Sequence, residues 1–139
     1  MKIGLIRCLE TESECGGRHC FQTIENKEGA FKGITEEIEL IGVTSCGGCP
    51  GKKINKKVKL MVENGAEAIV LGSCIKLGTP IDFSCPNLEK IKKGIKEVDQ
   101  DLEIIEWTHY TTFKEILVDR IKTTNLGNLD KFFTKGLKL

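Results

Sequence analysis

Residues 36–74 read EEIELIGVTSCGGCPGKKINKKVKLMVENGAEAIVLGSC. Ile38, Leu40, Ile41 and Val43 make an apolar, β-rich run over residues 36–44 that stops at Ser45-Cys46-Gly47-Gly48-Cys49-Pro50-Gly51, where glycine and proline interrupt any regular element. Ile54, Val58, Met61 and Val62 then recur at helical spacing as far as Asn64-Gly65, a pair suited to a helix C-terminus. Ala68-Ile69-Val70-Leu71, inside residues 67–72, is a short continuous apolar run of the kind buried on both faces of a sheet. Strand, amphipathic helix and strand together make a βαβ unit, whose crossover is right-handed and whose strands are parallel.

The same alternation continues outward. Residues 2–7 read as a strand ending at Cys8, and residues 9–18 as a polar loop. Residues 19–28 read as a short helix with Cys20, Phe21 and Ile24 on one side, closed by Gly29. After a loop punctuated by glycine and proline, Leu88, Ile91, Ile95 and Val98 mark another amphipathic helix, and residues 102–107 a fourth strand running out at Thr108-His109. Thr112-Phe113-Lys114-Glu115 has the form of a capping box opening a helix to about Lys122, with Phe113, Ile116, Leu117 and Ile121 inward. The expected fold is therefore α/β and three-layered, around a mostly parallel sheet of four to five strands in the flavodoxin-like, Rossmann-like order 2-1-3-4. Residues 1–123 form the expected domain. Residues 124–139, with Leu126, Leu129, Phe132, Phe133 and Leu137, form an apolar tail that packs on this domain or across a homodimer.

Composition narrows the function. In 139 residues, 21 Lys and Arg balance 20 Asp and Glu, which excludes bulk electrostatic capture of nucleic acid. No apolar run approaches the roughly 18 residues of a membrane span, so a cytoplasmic protein without membrane partners is expected. There is no C-x5-R, and the Gly51-Lys52 pair has Cys46 where a P-loop needs its first glycine and Lys53 where it needs a hydroxyl. Against six Phe, one Trp and one Tyr stand seven cysteines, an odd number that argues against a disulfide framework. Metal ligation, thiol redox chemistry and core filling remain.

Position favours chemistry over filling, because Cys8, Cys46, Cys74 and His109 each follow a strand end and such ends share one ligand-binding edge. Cys46 and Cys49 form a C-x-x-C whose two glycines let both sulfurs reach one point, and the first strand, between the second and third, brings Cys8 beside that turn and Cys74. These four are the primary metal set. Cys15, His19 and Cys20 form a second group that, with Cys85 and His109, completes another site or covers the first. Cys49-Pro50 and Cys85-Pro86 each place a thiol as a candidate helix N-cap with proline at the first helical position, where the helix dipole favours thiolate. Lys52 and Lys53, in the following turn, are expected to contact a bound cofactor or partly neutralise the thiolates. The ion expected is zinc. An iron–sulfur cluster suits the same soft donors, and a thiol–disulfide or thiol-transfer enzyme would use Cys49, Cys46 or Cys85 as nucleophile, with a small thiol or an anionic ligand as partner.

The segment Cys46-Gly47-Gly48-Cys49-Pro50-Gly51-Lys52-Lys53, together with Ile6-Arg7-Cys8, Gly72-Ser73-Cys74-Ile75, Gly78-Thr79-Pro80, Cys85-Pro86 and Thr108-His109, resembles the CGGC-domain family over about residues 1–110. The resemblance implies a cysteine- and histidine-rich α/β domain that binds metal, with zinc the usual assignment.

Overall fold

A computed structural model of the chain describes residues 1–110, together with Leu117 and Ile121, both helical. Met1–His109 form one compact unit. Four strands, β1 (Lys2–Arg7), β2 (Glu39–Ser45), β3 (Ala68–Leu71) and β4 (Glu103–Ile105), pair in the order β2-β1-β3-β4. Every pairing is parallel. The helices are α1 (Arg18–Asn26), α2 (Ile54–Glu63), α3 (Ser73–Lys76) and α4 (Leu88–Val98). The expected α/β class and strand order are those observed. Among the described residues no helix is long and apolar enough to cross a membrane.

The period of two along the central strands divides the core. Ile3 and Leu5 of β1, with Ala68 and Val70 of β3, pack with Cys20, Ile24 and Phe31 on the α1 side. Ile6, Ile69 and Leu71 pack on the other side with Ile54, Val58 and Met61 of α2 and Ile91 and Ile95 of α4. Gly4 shares that second face. A β carbon there would lie 2.3 Å from Met61 Sδ and 3.3 Å from Ile69 Cδ1, so the absence of a side chain lets α2 settle onto the sheet.

Several details depart from the expected elements. The fourth strand is three residues long, and 3-10 turns occupy Leu9–Thr11 and Gly29–Phe31. Helix α3 lies within the stretch expected to be loop, beneath its glycine and proline signals. Neither cysteine expected to cap a helix does so: α2 starts at Ile54 after Lys53, and α4 at Leu88 after Asn87. The prolines form turns ahead of the helices, and the Cys49–Pro50 and Thr79–Pro80 peptides are cis. Of the helix expected from Thr112, only Leu117 and Ile121 are described, and the 124–139 tail lies outside the described residues.

Glu106, just beyond β4, joins two helices. Its carboxylate accepts from Lys76 of α3 at 2.5 Å and pairs with Lys92 of α4. Lys76 first, and Lys92 second, hold the carboxyl below its ordinary value. A depressed acid stabilises the fold above its unfolded-state pKa, and that contribution disappears as pH falls through the folded-state value. Glu106→Gln should therefore lower the urea-unfolding free energy at neutral pH by about 1 kcal/mol, with the gap to the native chain closing on acidification. Gly4→Ala should cost about 1–3 kcal/mol in the same assay, since Met61 must leave its place.

Candidate thiol site

Parallel ladders that run past the strand ends build the site. The Cys46 amide donates to Arg7 O at 2.7 Å and the Gly72 amide to Ile6 O at 2.8 Å, so the segments leaving β1, β2 and β3 start side by side. Two successive amides of the segment after β1 then turn to sulfur. Cys8 N donates to Cys74 Sγ at 3.2 Å and Leu9 N to Cys46 Sγ at 3.5 Å. Cys46 and Cys74 are 6% and 8% exposed and Cys8 is half-buried. All three sulfur-bearing residues join the α2–α4 side of the core.

An N–H aimed at sulfur favours thiolate over thiol, since the charged form is the better acceptor. Charge and burial act against it. Burial raises the Cys8 thiol, the amide of Glu10 lowers it, and Cys46 and Cys74 raise it again. Cys85 behaves alike: burial raises it, the Asn87 amide, donating to its sulfur at 3.4 Å, lowers it, and Cys49, Cys46 and Cys74 raise it. Cys8 and Cys85 resist ionising first because they are buried and then because other sulfurs stand near, a repulsion that a bound cation would relieve.

The C-x-x-C does not bring its two thiols into one environment. Cys46 is buried, whereas Cys49 is exposed on the glycine turn, where Gly51 N donates to Gly48 O at 2.8 Å. Cys85 is fastened to α3 by its amide, which donates to Ile75 O at 2.8 Å. Lys52 and Lys53 are exposed. The lysine that serves the turn is Lys57, one helical turn further on, whose Nζ donates to Ser45 O at 2.8 Å. Ser45 Oγ in turn accepts from the Gly47 amide at 3.1 Å. Lys57 escapes sequence reading because Cys49-Pro50 offers an earlier helix start, whereas the observed start at Ile54 sets which lysine reaches back.

The remaining candidates gather on the α1 side. Cys20 Sγ lies 3.2 Å from Thr108 Oγ1 and 3.9 Å from His109 Nδ1, and the His19 and His109 rings are 5.4 Å apart. Cys15 Sγ accepts from Gly17 N at 3.4 Å, while Arg7 donates to Cys15 O. Ser73 and Thr108, absent from the expected set, are central here. Ser73 Oγ accepts from the amides of Thr108 and His109 at 3.0 and 2.9 Å and donates to His109 O at 2.7 Å. Their only signal in the sequence is position, each directly preceding a Cys or His already singled out.

Among the described residues, no three His, Cys, Asp or Glu side chains stand as a ready-made metal-holding group. The donor chemistry nevertheless suits a soft cation, with cysteines at one sheet edge and amides directed at two of their sulfurs.

The chain is 36% identical over 117 residues to an uncharacterized protein of Methanocaldococcus jannaschii, covering 78% of this chain and 87% of that relative. No solved structure matches it. The family model described as the CGGC domain matches residues 2–109, from the first residue of β1 to the histidine after β4, and the chain belongs to that family.

Proposed function

We propose that the protein binds a metal ion, zinc, at the C-terminal edge of its sheet through Cys8, Cys46 and Cys74, with Cys49 of the glycine turn as the fourth donor. The observation that carries this reading is the pair of successive amides, Cys8 N and Leu9 N, donating to the Cys74 and Cys46 sulfurs. Filler cysteines need no such donors. Zinc bound by thiolates supplies a closed structural centre or, with one position open, a Lewis acid. The chain's own part is to hold two sulfurs against backbone N–H groups and to keep a third just past the end of β1. Cys49, exposed on a turn that Lys57 anchors through Ser45, is the donor able to move in and out. Closing the set around the ion is a folding step of the loops, as is usual where ligands are not fixed beforehand.

Cys49 also supports a second reading. An exposed thiol near a half-buried one, Cys85, whose pKa burial first and Cys49 next push up, has the arrangement of an attacking and a resolving sulfur, and favours thiol–disulfide exchange with a small thiol.

Elemental analysis of protein purified without oxygen should find about one equivalent of zinc. Cys8→Ser, Cys46→Ser and Cys74→Ser should each empty the site and lower thermal stability, whereas Cys49→Ser should retain the ion and speed its loss to a chelator. Brown colour bleached by dithionite would reassign the thiols to an iron–sulfur cluster. Less than about half an equivalent of any metal, with the thiols freely titrating, would overturn the metal reading and leave exchange at Cys49 as the one to pursue.

A further inference from the structure

Cys20 has no part in that proposal. It is 3% exposed and lies on the α1 side of the sheet among Ile3, Leu5, Ile24, Phe31 and Val70, whereas Cys8, Cys46, Cys74 and Cys85 belong to the opposite side. In a wholly apolar niche a cysteine is a small hydrophobe. This one is hydrogen-bonded to a fully buried hydroxyl, Thr108 Oγ1 at 3.2 Å, which itself lies 2.9 Å from His109 Nδ1.

The directions of these bonds are constrained. The Ser73 amide donates to Thr108 Oγ1 at 3.4 Å, and the hydroxyl has one proton of its own to give. Ser73 Oγ, 3.2 Å away, has already given its proton to His109 O and accepted two amides, so the Thr108 proton faces His109 Nδ1 or Cys20 Sγ. In the first arrangement the thiol donates to Thr108 and Thr108 to the imidazole; in the second both bonds are reversed. Passing from one to the other moves a proton off sulfur and delivers one to Nδ1 without crossing water. The frame that holds them is fixed on both sides. Ser73 Oγ gathers the Thr108 and His109 backbone, and Thr108 O accepts from Ala30 N at 3.0 Å. A β carbon on Gly29, whose φ is +54°, would stand 2.2 Å from that same carbonyl, so only glycine lets the turn close on it.

We propose that Cys20, Thr108 and His109 form a thiol–hydroxyl–imidazole relay that makes Cys20 a site of oxidation by small uncharged peroxides. Size and charge follow from the burial, since a thiol 3% exposed excludes large oxidants and disfavours an anion. In the reaction the thiol proton passes through Thr108 to His109 Nδ1 while sulfur attacks one peroxide oxygen. The S–O bond forms and the O–O bond breaks. The departing hydroxide takes a proton back from the relay and leaves as water, so thiol and hydrogen peroxide become sulfenic acid and water. Sulfur is oxidised and the peroxide is reduced.

The surroundings explain why a relay is needed. Burial raises the Cys20 thiol most strongly, Thr108 and Arg7 lower it, and Cys74 and Cys15 raise it. A standing thiolate is therefore disfavoured, and reactivity depends on moving the proton during attack. The exposed His19 ring, 5.4 Å from His109, gives the imidazole a neighbour in contact with solvent.

The test treats the intact, as-purified protein with hydrogen peroxide, traps sulfenic acid with a dione reagent and measures Cys20 labelling by peptide mass spectrometry. Thr108→Ser should keep the native rate. Thr108→Val, which retains shape without the hydroxyl, and His109→Asn, which retains a polar group without the base, should each slow labelling by about 100-fold. Metal content should be unchanged in Thr108→Val, which separates this outcome from that of the sheet-edge proposal. Native-rate labelling in a folded Thr108→Val protein would overturn the relay, as would native Cys20 reacting no faster than in urea. Should Thr108→Val fail to fold, the His109→Asn rate decides.

Discussion

The hydrogen-bonded register that holds β1 between β2 and β3 is the constraint from which the site follows. Lys2 to Arg7 pair with Glu39 to Ser45 on one side, and Ile3 to Ile6 with Ala68 to Leu71 on the other. Parallel pairing brings the three C-termini to one edge, and each is followed within three residues by a cysteine. Shifting any of these strands by one residue would send its buried side chains to the opposite face. The apolar alternation that fills the core therefore also places Cys8, Cys46 and Cys74 together.

That placement has an electrostatic cost the fold only partly offsets. Backbone amides at Cys8, Leu9 and Asn87 point at three sulfurs, yet the thiols of Cys8 and Cys85 remain raised by burial and by their neighbours. Lys57 donates to the Ser45 carbonyl, at the root of the turn. A cluster arranged in this way gains more from a bound cation than an equal number of dispersed cysteines would, because mutual repulsion is converted into shared attraction. The same reasoning makes the loss of one member costly, since the others stay crowded.

Much of this was legible in the sequence. The switch from β-rich run to 3.6-residue period and back, over residues 36–74, dictates a parallel βαβ order, and the cysteines after the strand ends dictate the edge. What escaped reading depends on backbone geometry that composition does not encode. Cys49-Pro50 and Cys85-Pro86 resemble helix starts, but the chain turns for several residues before α2 and one residue before α4. The C-x-x-C spacing suggests two thiols at one point, whereas the positive φ of Gly47, Gly48 and Gly51 carries Cys49 outward. Helix α3 is four residues long, too short for any period to announce it. Ser73 and Thr108 are ordinary polar residues in sequence and become central only when the ends of β3 and β4 meet.

The sheet itself keeps the two groups of cysteines apart. Its faces are filled by separate clusters, one holding Cys8, Cys46, Cys74 and Cys85 and the other Cys20. Ser73 occupies the C-terminal edge. Its neighbour Cys74 faces the α2–α4 side, while its own hydroxyl fastens Thr108 and His109, which contact Cys20. The segment after β3 is thus common to both sites through backbone alone, with no shared side chain.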